Sequence, residues 1–380
     1  MFLKKTDTNQ KRGSMVKESI MTRKDKLFPL NEYAFLCSFL KYAWEQGWLD
    51  EYSEEHFLIK AIESRLDNFV GKDQLTNVEI NLHGIVNPAG KVNMQAFCLN
   101  FCINFSNKIG ALSNHFGEEN IKRFMLDQMS AGKNKYDEDS FFQALSEISI
   151  LSFYAQRFPE MSMIYEPAVD GKKGKNPEAK FTGNVSYTVG GKIIENKIAI
   201  NIEVKSPKFP HDNHENEITV IPTMLLTDNG REEIKNFCDA NAVVYMPPRV
   251  KKLCDFINSA VEKFAVPGEN EYNILYINWS YRDFPSNGFL EAWSLLTNSV
   301  NGIFTNKQIA NKLGVSLEAF SKISAVVVYT ESIEGLMFSD FRHVWQHAGA
   351  GHRFRMWIIN DDQRNKEIKN EIDIFLQSRA

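Results

Sequence analysis

Glu178, Glu203 and Lys205 have the residue types and the spacing needed to hydrolyse a phosphate ester. Residues 198–205 have the sequence Ile-Ala-Ile-Asn-Ile-Glu-Val-Lys, with large apolar side chains at every second position. This alternation predicts a β-strand with one face in the core. Glu203 and Lys205 fall on the opposite face, roughly 6.5 Å apart along the strand, so they project together. A carboxylate there can hold a divalent cation, and an adjacent ammonium can stabilise an attacking water and the phosphate that it attacks.

Glu178 offers a second carboxylate near the start of the preceding strand. Residues 181–189 alternate, and their even-numbered members are polar, so the same parity places Glu178 on the polar face. Mg²⁺ prefers oxygen ligands and usually takes one or two carboxylates together with substrate phosphate.

Glu147 is a third candidate acid, on a helix predicted from about Ser140 to Phe158. Asp139 and Ser140 are the N-cap candidates of this helix. Leu151 and Tyr154 follow Glu147 at the four- and seven-residue spacings that share its side of the helix. A carboxylate in such a row is expected to be half-buried and to need a partner.

Together these residues resemble the active-site pattern of the PD-(D/E)XK nuclease superfamily, which includes restriction endonucleases, repair nucleases and Holliday-junction resolvases. The resemblance rests on Glu147 in a leading helix, on Pro177-Glu178, and on Glu203-Val204-Lys205 followed by Ser206-Pro207. It covers about residues 137–329, although Glu178 stands where the family usually has Asp. Asp170, in the segment Pro167–Gly171, therefore competes with Glu178 for the role of the family's first metal-binding acid.

The resemblance implies an α/β (α+β) fold of the restriction-endonuclease type, with a central mixed sheet flanked by helices. It implies that Glu147, Glu178 and Glu203 bind Mg²⁺, for which Mn²⁺ can substitute, and that Lys205 assists the nucleophilic water. The implied function is hydrolysis of phosphodiester bonds in nucleic acid, with double-stranded DNA as the first expectation. Restriction or defence against foreign DNA and a homodimer would suit such an enzyme, whereas the sequence does not separate DNA from RNA.

Residues 305–320 support an alternative, because their pattern is similar to a helix-turn-helix. Ile309, Ala310 and Leu313 would pack the first helix, Gly314 would form the turn, and Leu317 and Phe320 would anchor the second. A non-catalytic DNA-binding or regulatory protein with a nuclease-like fold could use this segment. A strand predicted directly after it leaves little room for a recognition domain and favours a structural connection. A structural subunit of a larger assembly is a third hypothesis.

The elements that position these residues divide the chain into four predicted regions. A disordered basic tail spans residues 1–28, a mainly helical region 29–135, the nuclease-like domain 136–332 and a C-terminal extension 333–380. The 380 residues carry a net charge of −4 and are 43% hydrophobic, which is typical of a globular protein and excludes no polyanionic partner. Five cysteines and no membrane-length apolar run predict a cytoplasmic protein without a disulfide framework.

Overall fold

The computed structural model describes residues 35–63, 94–132, 135–169, 175–189, 192–207, 232, 248–279, 288–329 and 354–358. The predicted basic tail at residues 1–28 and the candidate acid Asp170 lie outside these described residues.

The described residues form nine helices, and the first five precede the strands. Their bounds are α1 Ser38–Glu45, α2 Phe57–Glu63, α3 Met94–Phe116, α4 Glu118–Asp127, α5 Glu138–Arg157, α6 Pro248–Lys263, α7 Gly288–Thr297, α8 Lys307–Lys312 and α9 Ala319–Lys322. The described part of region 29–135 is therefore mainly helical.

A six-stranded mixed sheet lies between helices, with its strands in sequential order. The strands are β1 Ser162–Tyr165, β2 Ala179–Val189, β3 Lys192–Lys205, β4 Glu271–Asn278, β5 Ala325–Tyr329 and β6 Phe354–Ile358. β1, β2 and β3 form an antiparallel meander, β4 and β5 continue parallel to β3, and β6 pairs antiparallel with β5. The predicted C-terminal extension thus contributes the last strand of this sheet.

Each face of the sheet belongs to a different hydrophobic core. One core joins α1–α5 to the face that carries Ile200, Ile202 and Tyr276. The other packs α6 and the later helices against the face that carries Leu275 and Ile277. Because successive strand residues point to opposite faces, β4 and β5 contribute side chains to both cores.

Helix α5 begins two residues before the predicted start, because Asp137 is its N-cap. The Asp137 carboxylate accepts hydrogen bonds from the backbone N–H groups of Asp139 and Ser140, at 3.0 and 3.2 Å. The expectation that Asp139 or Ser140 caps this helix is wrong, since both are already inside its first turn. All three residues suit an N-cap, and only the backbone conformation separates them.

The helix-turn-helix-like segment packs as a connection on the second core. Ala310 and Phe320 are buried, and Gly314 turns the chain with a φ of 74°. Leu317 is 50% exposed, so the expectation that it anchors the second helix is wrong. That helix, α9, has only four residues, which leaves it short for a recognition element.

None of the helices in the described ranges is long and apolar enough to cross a membrane.

Candidate active site

Near the carboxyl end of β3, even-numbered residues are apolar and odd-numbered residues are polar or charged, so the two kinds point to opposite faces of the sheet. Ile200, Ile202 and Val204 are buried in the core shared with α5. Glu203 pairs in register with Leu275, whose side chain belongs to the opposite core, and Lys205 pairs with Ile277. The two candidate residues therefore lie on the α6 side of the sheet, at the carboxyl end of β3.

Glu178 is held beside Glu203 by the backbone at the start of β2. Its N–H donates to the carbonyl of Ile202 at 2.9 Å, which extends the β2–β3 ladder by one residue beyond Ala179. Its own carbonyl accepts from the N–H of Glu166 at 2.9 Å. The polar face predicted for Glu178 is thus the face on which Glu203 lies, and its side chain is only 12% exposed.

Two ammonium groups contact these carboxylates. Lys205 Nζ lies 2.5 Å from Glu203 Oε1. Lys263, in the last turn of α6, places its Nζ 2.7 Å from the same oxygen and donates a hydrogen bond to Glu178 Oε1 at 2.9 Å. Lys263 therefore bridges the two acids, whereas Lys205 contacts Glu203 and, among the described residues, does not pair with Glu178.

Burial dominates the electrostatics of Glu203. The side chain has no exposed surface, and its Oε2 atom has no hydrogen-bond partner in the described part of the chain. Burial, followed by repulsion from Glu178, raises the pKa of Glu203 to about 7, although Lys205 and Lys263 oppose the shift. The pKa of Lys263 is raised above its usual value, because attraction to Glu178 and Glu203 outweighs the opposing effect of burial.

Glu147 approaches the same cluster from α5. Burial is the main cause that raises its pKa well above the usual range, and the charges of Glu178 and Glu203 raise it further. Its Oε1 atom is buried, and none of the described residues forms a hydrogen bond with it. The expectation of a half-buried carboxylate in need of a partner understates the burial, since Glu147 is only 8% exposed. In a low-dielectric setting such a group remains neutral unless a cation is near.

Contacts from α5 hold the end of β3 in place. Gln143, one turn before Glu147, donates from Nε2 to the carbonyl of Ser206 at 3.2 Å. Ser146 accepts a hydrogen bond from Asn278 at the end of β4, at 3.0 Å. The amino-terminal half of α5 is thus fixed against the carboxyl ends of two parallel strands, where binding sites of open α/β sheets commonly lie.

Sequence reasoning missed Lys263 and Gln143. Lys263 follows Phe256 by seven residues and Ala260 by three, so it extends a row of buried side chains on an amphipathic helix. A lysine in that row was the available signal for a buried ion pair, but its partners on β2 and β3 cannot be inferred from helical spacing. Gln143 carries no such signal.

The donor atoms of this cluster suit a hard divalent cation. Glu147, Glu178 and Glu203 supply carboxylate oxygens, the ligands that Mg²⁺ takes in proteins. The partnerless Glu203 Oε2 and Glu147 Oε1 are buried atoms that a bound cation could satisfy. Within the described ranges, however, no three acidic, histidine or cysteine side chains are already arranged to hold a metal ion. Lys263 instead supplies the positive charge between Glu178 and Glu203.

Nothing matches this chain in comparisons with protein-family models, with curated proteins or with solved structures.

Proposed function

We propose that the protein is a metal-dependent nuclease that hydrolyses phosphodiester bonds of DNA. The observation that carries the proposal is the charged cluster of Glu178, Glu203 and Lys205 at the start of β2 and the end of β3. Glu147 is near enough for the charges of Glu178 and Glu203 to raise its pKa, and buried oxygens of Glu147 and Glu203 have no hydrogen-bond partner among the described residues. Buried acids cost folding free energy even when lysines partly compensate their charge, so a cluster of them with raised pKa values is typical of a functional site.

The order of the elements supports the restriction-endonuclease-like fold. Helix α5 precedes the β1–β3 meander, and α6 then leads to β4 parallel to β3. This helix, meander, helix and strand order is the one that the sequence resemblance implies. Because an open sheet supports many activities, the fold agrees with the proposed nuclease function but is not by itself sufficient evidence for it.

Glu178 and Glu203 would hold a Mg²⁺ ion, with Glu147 completing the acidic set. When bound, such an ion polarises the phosphate and activates a water molecule. Lys205 would stabilise negative charge on the attacked phosphate, since its ammonium lies on the same strand face, two residues after Glu203. Gln143 would keep the backbone after Lys205 in place through the Ser206 carbonyl.

Cleavage assays test the proposal directly. Purified protein with Mg²⁺ or Mn²⁺ is expected to cut DNA, and Lys205→Ala is expected to lower the rate about 10²- to 10³-fold, the typical loss when one charge-stabilising group is removed. Lys180→Ala is the matched control, because Lys180 is a sheet lysine on the neighbouring strand and pairs with Glu271 instead. Single-stranded DNA, double-stranded DNA and RNA are assayed in parallel to define the substrate. Intact nucleic acid with wild type and Lys205→Ala alike would refute the proposal.

A non-catalytic DNA-binding protein with this fold is the second candidate. The observation that favours it is the Lys263 bridge, which neutralises Glu178 and Glu203 from within the protein. Salt-dependent DNA binding that needs no divalent metal and survives Glu203→Ala would support this candidate. Loss of binding with metal chelation would count against it.

A further inference from the structure

Lys263 is a partly buried cation placed between two candidate metal ligands. Only 22% of its side chain is exposed, and its Nζ is within 3 Å of one oxygen of Glu178 and one of Glu203. The lysine comes from α6, whereas the acids come from β2 and β3, so the contact joins the helix layer to the sheet. Its position depends on tertiary packing and not on a local sequence motif.

The bridge has a clear role in the metal-free protein. Two carboxylates on adjacent strands repel each other, and a shared ammonium offsets that repulsion in a buried site. Lys205 cannot do this alone, because it contacts Glu203 and not Glu178. Lys263 is therefore the group that holds both acids in one place.

The same bridge conflicts with a bound divalent cation. An ion coordinated by Glu178 and Glu203 would compete for the Oε1 atoms that Lys263 now contacts. An ammonium and a divalent ion on the same oxygens would also repel each other strongly in a site shielded from water. The long, flexible lysine stem allows the ammonium to withdraw while α6 stays in place.

We propose that Lys263 is an internal counter-cation that holds Glu178 and Glu203 together until a divalent metal ion displaces it. This inference rests on the proposed function, since it presumes that the two acids bind the metal. It assigns Lys263 a positioning role, separate from that of Lys205. The cluster then has two states, one bridged by lysine and one bridged by metal.

Metal affinity measured without any reaction tests the displacement. Mn²⁺ binding to the full-length protein is followed by calorimetry for wild type, Lys263→Met and Lys251→Met at one fixed pH. Lys263→Met is expected to bind Mn²⁺ about tenfold more tightly or better, because the competing cation is gone. Lys251→Met should bind like wild type, because Lys251 is an exposed lysine of the same helix that pairs with Asp255. Glu203→Gln should lose the binding, which places the ion at this cluster.

Wild-type protein provides a second measurement that does not depend on the folding of a variant. Acylation of individual lysines by an amine-reactive ester, quantified by mass spectrometry, is compared with and without Mn²⁺. Labelling of Lys263 is expected to rise several-fold with the metal as its ammonium leaves the acids, while labelling of Lys251 stays constant. Ca²⁺ or Mg²⁺ in place of Mn²⁺ should give the same direction.

The outcomes separate this inference from the proposed function. If wild type binds Mn²⁺ but Lys263→Met binds it no more tightly and Lys263 labelling does not rise, the counter-cation role is refuted and the nuclease proposal stands. If wild type and Lys263→Met both fail to bind Mn²⁺, both proposals fall. Tighter Mn²⁺ binding by Lys263→Met than by wild type supports the displacement, whether or not it is accompanied by increased labelling of Lys263 in wild type.

Discussion

Replacing Glu203 with glutamine should make the metal-free protein more stable at neutral and alkaline pH. Glutamine keeps the shape of the protonated acid but cannot ionise. In wild type the side chain is fully buried, and its Oε2 atom receives no hydrogen bond from the residues that the structure describes. Glu203→Gln therefore removes a charge that the folded protein accommodates poorly, even with Lys205 and Lys263 beside it.

The magnitude follows from the raised pKa. Burial first, and then the charge of Glu178, raise the pKa of Glu203 from 4.5 to about 7. At about 1.4 kcal/mol for each unit of pKa difference, ionisation costs the folded protein about 3 kcal/mol. The neutral form is the one favoured by folding, so its stabilising contribution is fully present below pH 4.5. It is lost as the pH rises from 4.5 through 7 and stays lost above that range.

Urea unfolding at several pH values between 4.5 and 9, with a chelator present, measures this difference. Glu203→Gln should match wild type near pH 4.5 and exceed its free energy of unfolding by about 3 kcal/mol above pH 7. Glu271→Gln is the control, because the carboxylate of Glu271 is expected to change the free energy of unfolding with pH in the opposite direction. Burial acts to raise the pKa of Glu271, but hydrogen bonds from Lys180 and Asn201 lower it overall. The ionised carboxylate of Glu271 therefore stabilises the folded protein above pH 4.5, and this stabilisation is lost in acid. A wild-type stability that stays level with Glu203→Gln from pH 5 to 8 would refute the reasoning.

Two further predictions concern the helix that carries Glu147. Asp137→Ala should lower the free energy of unfolding by about 1 kcal/mol, because α5 loses its N-cap, and a loss as large for Asp139→Ala in the same urea titration would contradict this assignment. Tyr154→Phe removes the 2.6 Å hydrogen bond between the hydroxyls of Tyr154 and Tyr276 and should also cost about 1 kcal/mol. A double-mutant cycle with Tyr276→Phe should show that the two losses are not additive, whereas strict additivity would mean that the hydroxyls do not interact in the folded protein.

The sequence predicted those parts of the fold that depend on local periodicity. Alternation along β3 placed Glu203 and Lys205 on one face, and the register with Leu275 and Ile277 confirms that they lie away from the core shared with α5. The strand predicted directly after residue 320 is confirmed as β5, because a run of five apolar residues between polar neighbours is typical of a central strand. The mixed sheet flanked by helices is likewise confirmed in the described residues.

Features that depend on tertiary packing were not predictable in this way. The Lys263 bridge joins groups 60 and 85 residues apart, and helical spacing does not reveal which strand a helix covers. The strand at Phe354–Ile358 was assigned to an extension, because an edge strand is defined by its partner as much as by its own sequence. The N-cap of α5 was misplaced because three adjacent residues have suitable side chains, and only their backbone angles decide among them.

The apolar and charged faces of β3 also restrict which insertions and deletions the β2–β3 hairpin can accept. A shift of one residue in the pairing between β2 and β3 would turn Glu203 towards the apolar core and Ile202 towards the acids. Insertions and deletions in this hairpin are therefore expected to be tolerated in pairs, or at the exposed positions around Ser186 and Ile193, far from the cluster. Variants with one residue or two residues inserted in the hairpin test this expectation. Folded protein should be recovered preferentially for the two-residue insertions, which keep each side chain on its original face.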